Sequence, residues 1–401
     1  MEIRRLRPEE HVQFQGICQT VFFDIERDDI REFQKEPLEH AEKDNNVRLG
    51  VFDVNGKLQS ALQILPFTMR MNGHDVPMGG IGAVVTRPES RGLGHMNMLI
   101  ESAFKIMHEN NQIFSFIYPF SFAYYRKFGY EMCYAYDKVR IPISQLQSYK
   151  CKVTAEPFEP GDSIQPYAKI YEHFTRERNL SIVRNNDDWE KLLARDPYKN
   201  LEFTFIIRDN SNQAVSYILY SAERDDDNGN RLIINECCWT TPEALHMVFG
   251  FLSKLGAEFE YVHWNAPADM DIFTLFPEGF DLEWQRESTG MNRVIDVSAA
   301  LATLQAPPDK GCVTLHITDN FLQKNNGTYT VSWNNNALSV KKLTQPSPAD
   351  IETTIETLAQ LISGYITPDA AILKKDTTIR SGLLTLNALF PKRHLFITER
   401  Y

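Results

Sequence analysis

Cysteine is scarce in this sequence. The six thiols, Cys18, Cys133, Cys151, Cys237, Cys238 and Cys312, form no Cys-x-x-Cys pair and have no histidines at zinc-finger spacing. The pattern points away from a metal centre, and the six are expected to be reduced and mostly buried. Long apolar runs are also missing: no stretch of about 18 uncharged apolar residues occurs, and the opening MEIRRLRPEEH has no apolar segment of the kind a secretion signal needs. The expectation is a cytoplasmic protein that does not engage a membrane. Net positive charge is missing too: the formal charge of -11 disfavours a nucleic-acid partner, since phosphate binding needs clustered Lys and Arg. An acidic balance suits a cationic substrate, although many cytoplasmic proteins are acidic without one.

The composition that remains is that of a folded protein, with 43% hydrophobic and 24% charged residues. A chain of 401 residues exceeds one ordinary core, so two or three domains are expected. The first 148 residues alternate strand and helix signals. EIRRL starts a strand, PEEHVQFQGICQTVFF has helical spacing, and two hairpins follow with turns at Asn55-Gly56 and Asn72-Gly73. Next comes RPESRGLGHMNMLI. From Met96 the apolar residues Leu99, Ile100, Ala103, Phe104 and Met107 repeat with the period of one buried helix face. IFSFIY at 113–118 then reads as a strand.

A second block, 149–290, repeats this order without an Arg- and Gly-bearing loop between strand and helix. A third, 291–401, has another rhythm. VTLHITD and TYTVSWNNNALSVKKL read as antiparallel strands turning at residues 334–336, and PSPADIETTIETLAQLISG as a helix entered at Pro348 behind a Ser cap. LLTLNALF reads as helix and RHLFITERY as strand, making a small α+β domain.

The stretch between strand and helix in the first block has two local readings. Glycines before a helix leave N–H groups pointing outward, where the helix dipole adds partial positive charge and Arg91 could supply a full one, as a phosphate site requires. An ordinary glycine turn with a solvated arginine fits the local pattern equally well.

Residues further along favour the first reading. Arg91-Gly92-Leu93-Gly94-His95-Met96 resembles the (Arg/Gln)-x-x-Gly-x-(Gly/Ala) signature of the GCN5-related N-acetyltransferases, whose loop holds the pyrophosphate of acetyl-CoA. One strand later, Tyr125-Arg126-Lys127-Phe128-Gly129-Tyr130 resembles the Tyr-x-x-(Leu/Phe)-Gly-(Phe/Tyr) stretch of the same family. Met96 departs from the pattern, standing where a small residue is usual. Arg91 to His95 must then supply the phosphate contacts while Met96 turns inward with the apolar face. The three-block layout resembles the Eis (enhanced intracellular survival) family. That resemblance implies a mixed α/β, α+β chain of tandem acetyltransferase domains, the second degenerate, followed by a sterol-carrier-like domain.

The resemblance implies a role for each part. Amide formation from a thioester needs a neutral amine, a polarised carbonyl and a proton for the departing thiolate. Tyr125 matches the tyrosine that protonates the coenzyme A sulfur. Val84, Val85 and Thr86 match the strand along the pantetheine arm, and Phe120 and Ser121 match positions beside the cofactor. Tyr401 matches the chain-terminal residue whose carboxylate is the family's general base. Phe22, Asp24 and Glu26 fall where an acceptor pocket usually forms, and Glu399 matches an acidic residue that faces it. Read on their own, the tyrosines are equally packing residues, the acidic run equally a solvated face, and the chain end equally a last strand. His74 and His95 read as loop histidines, and no metal is expected.

The function implied is transfer of an acetyl group from acetyl-CoA to a primary amine of a polycationic small molecule, aminoglycosides being the family's substrate class. An acceptor amine on a protein or peptide is the alternative within the fold. A non-catalytic protein that binds an apolar ligand in the third domain is the alternative outside it. The resemblance also implies a homo-oligomer, a trimer or hexamer.

Overall fold

The computed structural model describes residues 1–22, 45–194, 197–224, 229–345 and 347–399. Strand β1 (Glu2–Arg5) leads through a 3-10 turn at Pro8–Glu10 into helix α1 (His11–Val21). Strands β2 (Val47–Phe52), β3 (Leu58–Met71) and β4 (His74–Thr86) form both expected hairpins on a shared central strand. Helix α2 (His95–Glu109) buries Met96, Leu99, Ile100, Ala103, Phe104 and Met107, the apolar face read from the sequence. Then follow β5 (Phe114–Ile117), the short helix α3 (Phe122–Arg126) and the long strand β6 (Glu131–Pro142).

The second block contributes β7 (Thr154–Pro157), α4 (Gln165–Thr175), β8 (Arg178–Asn179), α5 (Asn186–Leu193), α6 (Pro197–Asn200), β9 (Glu202–Arg208) and β10 (Ala214–Glu223). It ends with β11 (Arg231–Trp239), α7 (Pro242–Leu252), β12 (Tyr261–Pro267) and β13 (Glu283–Val294).

These strands make one twelve-stranded sheet in the order β1-β2-β3-β4-β5-β13-β6-β12-β11-β10-β9-β7. The order shows an exchange between the blocks. β13 inserts between β5 and β6, pairing Met291–Val294 with β5 and Glu283–Asn292 with β6, while β6 pairs on its other side with β12. The boundary expected at 290/291 therefore falls inside a strand.

The third block opens with α8 (Val297–Ala302) and builds a five-stranded sheet from β14 (Gly311–Thr318), β15 (Gly327–Asn334), β16 (Ala337–Lys342), β17 (Ile351–Thr354) and, after α9 (Ile355–Ser363) and α10 (Pro368–Ala371), β18 (Thr378–Ile379). Helix α11 (Leu383–Leu389) and the two-residue β19 (His394–Leu395) close the chain. The helix expected from Pro348 begins only at Ile355. The β-branched residues of Ile351-Glu352-Thr353-Thr354 alternate in and out on β17, which pairs in parallel with β14. Of the strand expected at the chain end, the described residues form β19, which pairs in parallel with β8.

One core spans the first and third blocks, bringing Met69, Phe114 and Phe116 together with Leu315, Val331, Ile351 and Leu358. Across it the fully buried Arg293 donates to the fully buried Asp319 at 2.6 Å. Cys133, Cys237 and Cys238 are buried, whereas Cys151 and Cys312 are exposed, so burial of the thiols is less general than expected. Among the described residues no helix is long and apolar enough to cross a membrane.

Candidate active site

The loop ahead of α2 leaves a run of backbone N–H groups unbonded among the described residues. Gly92 and Gly94 adopt φ of 77° and 79°, a left-handed conformation that favours glycine, and a Cβ on either would meet no atom within 4 Å. The amides of Gly92, Leu93, Gly94, His95 and Met96 have no hydrogen-bond partner among the described residues. A row of free N–H groups at the positive end of a fifteen-residue helix is what a pyrophosphate needs. Arg91 and Leu93 are exposed at its rim. Met96 points the other way, 7% exposed in the core, so its bulk does not enter the loop. His95 is not the loop histidine expected. Its ring is buried, with Nδ1 3.0 Å from the Ser60 hydroxyl, and burial lowers its pKa so that the imidazole stays neutral near pH 7. Its backbone, not its ring, is what the loop offers.

The loop lies at the end of a gap between strands. β4 and β5 run parallel but pair only from Met78↔Phe114 to Ile81↔Ile117. Beyond Ile81 the edge of β4 that carries Val84, Val85 and Thr86 is free of β5, and Val85 is buried while its neighbours are half-buried. The pairing of β4 with β3 is interrupted at the same place by a bulge, with Ala83 at φ 46°. Non-glycine residues rarely hold that conformation, and bulges of this kind redirect a strand next to a functional site.

Tyr125 sits one helix beyond the gap. Ser121 caps α3, its hydroxyl accepting from the Tyr124 amide at 3.3 Å, which gives Ser121 a structural task. The Tyr125 ring is 1% exposed and is packed edge-on by Phe120, Tyr124 and Tyr130 at centroid distances of 5.5, 5.2 and 6.1 Å. Burial, reinforced by the neighbouring Tyr130 and Tyr124, pushes its phenol well above the ordinary value, so the proton stays on at physiological pH. The two buried tyrosines differ in what they bond. The Tyr130 hydroxyl meets Ser115 at 2.7 Å, and Ser115 donates to the Gly79 carbonyl. The Tyr125 hydroxyl has no hydrogen-bond partner among the described residues.

Phe120, 75% exposed, forms part of the wall of a cavity of about 610 Å³ together with Tyr118, Phe122, Tyr134 and Tyr136 from the first block. Asn235, Asn265, Ser288 and Thr289 come from β11, β12 and β13, and Ile397 and Thr398 from the last described residues. Asn235, Asn265 and Thr398 also line an adjoining groove of about 700 Å³, where Asp188, Glu202, Glu223, Glu236 and Glu399 outnumber Arg184 and Lys191. An aromatic chamber thus continues into an acidic one.

Glu399 lies on the groove wall, and its carboxylate accepts from Arg184 Nε at 2.7 Å. Phe22 ends α1 and is not part of either wall. Asp24, Glu26 and Tyr401 lie outside the described residues. No group of three or more His, Cys, Asp or Glu is placed to hold a metal among the described residues. Sequence reasoning missed Arg184, Glu236 and the linings from β11, β12 and β13. One signal was available: Glu236 interrupts the apolar run of RLIINECCW, and a carboxylate buried in a strand needs a cationic partner.

The helix opens on free amides beside two parting parallel strands, an arrangement that suits a phosphate-bearing ligand, and the family comparisons identify the fold. Residues 2–133 match the model of an acetyltransferase (GNAT) domain, residues 180–294 match another acetyltransferase (GNAT) model, and residues 297–397 match a sterol carrier protein domain. The chain is an N-acetyltransferase with two GNAT domains and a sterol-carrier-like domain, and acetyl-CoA is the co-substrate that GNAT domains use. Among solved structures, a GCN5-related N-acetyltransferase from Anabaena variabilis shares 21% identity over 100% of both chains, with a TM-score of 0.86. A probable N-acyltransferase from Enterococcus faecalis shares 20% identity over 98% of this chain and 97% of its own, with a TM-score of 0.84. Eis1 from Mycobacterium abscessus shares 16% identity over 100% of both chains, with a TM-score of 0.79. At these identities the likeness establishes the fold. No curated protein matches the sequence.

Proposed function

We propose that the protein transfers the acetyl group of acetyl-CoA to a primary amine of a polycationic small molecule, of the aminoglycoside kind. The observation that carries this reading is the aromatic cavity beside the Tyr125 cluster opening directly into the acidic groove. Aromatic walls accept the flat, apolar parts of an acceptor and its ammonium groups alike, and the surplus of carboxylates attracts further ammonium groups. The amides of Gly92 to Met96 and the Arg91 guanidinium hold the pyrophosphate, while the free edge at Val84, Val85 and Thr86 lies along the pantetheine arm and polarises the thioester carbonyl.

In the transfer a C–N bond forms and a C–S bond breaks. The attacking amine loses one proton, and the departing sulfur takes one from the Tyr125 hydroxyl, which burial keeps protonated. Tyr401 supplies the base under this reading. The working unit is a trimer or hexamer, which light scattering tests. Thiol release from acetyl-CoA across a panel of aminoglycosides, polyamines and lysine peptides tests the substrate class. Turnover confined to the peptides would overturn it.

A further inference from the structure

The end of the described chain is fastened along residues 178–184 of the second block. β19 pairs with β8, the Phe396 amide donates to the Asn179 carbonyl at 3.1 Å, and the Phe396 carbonyl accepts from the Ser181 hydroxyl at 3.0 Å. The outermost fastening is Arg184. Its terminal nitrogens donate to both Glu236 oxygens at 2.8 and 2.6 Å, and its plane lies over Tyr171 and Trp189 at 4.1 and 4.8 Å. The Tyr217 hydroxyl donates to Glu236 at 2.6 Å and fixes that carboxylate in turn. Arg184 and Glu236 are almost wholly buried, with side chains 5% and 3% exposed. This fixed guanidinium uses its remaining donors on the chain end, giving Nε to Glu399 at 2.7 Å and a terminal N–H to the Thr398 hydroxyl at 3.0 Å. Thr398 is one of the residues that wall both the aromatic cavity and the acidic groove.

We propose that Arg184 is a positioning residue for acetyl transfer, gripping Glu399 and Thr398 so that the chain end stays in place as a wall shared by the two chambers. The inference rests on the reading of those chambers as the acceptor site. Charge and geometry separate this task from simple core support. Glu236 already satisfies Arg184 with two parallel bonds, so the contact to the partly exposed Glu399 lies outside the buried pair. Removing that outer contact leaves the buried pair whole.

The test compares wild type, Glu399→Ala, Arg184→Gln and the double variant. It measures kcat and KM for amine and for acetyl-CoA, and amide hydrogen exchange over residues 394–399. Each single variant is expected to lose about tenfold to a hundredfold in kcat/KM for the amine, as a loosened reacting geometry does, while KM for acetyl-CoA stays within about twofold. Exchange at 394–399 accelerates in both, and the double variant is no worse than the worse single, because both act through one contact. Unchanged amine kinetics in Glu399→Ala, or losses that multiply in the double variant, overturn the proposal. Faster exchange in Glu399→Ala with a raised amine KM, and no such change in Arg184→Gln, makes Glu399 a direct substrate contact and overturns it as well. A wild-type protein that binds acetyl-CoA but acetylates no amine on the panel removes the acceptor reading, and the inference falls with it.

Discussion

Gly129 packs against the Arg293 guanidinium so closely that a Cβ on the glycine would lie 2.8 Å from the arginine Cζ. Its φ is 81°, and the motif glycine is thereby required twice, by the backbone and by the buried cation beneath it. Gly129→Ala is expected to cost at least about 2 kcal/mol, measured by urea unfolding, and to lower turnover because the same turn sets Tyr125.

The cation itself is answered by the Asp319 carboxylate at 2.6 Å and the Val294 carbonyl at 2.9 Å. Removing one member of a fully buried ion pair leaves an uncompensated charge, so Asp319→Ala should lose about 3–5 kcal/mol. Replacing both, Arg293→Met with Asp319→Asn, removes both charges and keeps an oxygen for the Phe321 and Leu322 amides, and should cost less. Chemical denaturation of the two variants beside the wild type checks the ordering.

Tyr125→Phe removes a hydroxyl and little packing. We expect kcat to fall by about 10²–10⁴ with acetyl-CoA affinity nearly unchanged, read by thiol release and calorimetry. Because burial raises the Tyr125 pKa, the acid remains protonated throughout the accessible range. The kcat profile should climb with pH as the amine and base lose protons, with no alkaline fall below about pH 10.

Arg91→Ala should weaken acetyl-CoA binding by about 10- to 100-fold at low salt, the loss of a charge-assisted contact, and by less as salt screens it. Met96→Ala should behave in the opposite way. Its side chain lies in the core, so it costs stability, about 2–5 kcal/mol, while cofactor affinity holds. Isothermal titration and thermal melts distinguish the two.

Burial pushes the Glu236 carboxyl up, but the Arg184 charge and the hydrogen bonds from Arg184, Thr398 and Tyr217 outweigh it, and the net shift is downward. A depressed folded-state pKa contributes stability that is complete above the unfolded value of about 4.3 and is lost as pH falls below it. Melting temperatures between pH 6 and 3 should therefore drop more steeply for the wild type than for Glu236→Gln.

Most of the local structure was legible because it obeys simple periods. The Met96-to-Met107 face, both Asn-Gly hairpins and the glycine loop followed from spacing and turn chemistry. The start of α9 did not, because Ile351 to Thr354 carries β-branched residues whose strand pairing with β14 depends on a partner distant in sequence. The cavity was half legible. Its near wall follows the Tyr125 motif, but its far wall comes from β11, β12, β13 and the chain end, and no local pattern announces which strands will exchange. Glu399 lines the groove, and its bond to Arg184 depends on a contact 215 positions away that no local pattern announces.

The insertion of β13 between β5 and β6 also limits how such a chain can be divided or inherited. Cut after β6, the first block would present β5 and β6 as raw edges with an empty slot between them, and the second block would carry β13 with nothing on either side. Neither half is a module that recombination could trade alone. The second block can therefore persist through sequence drift, since the first borrows a strand from it.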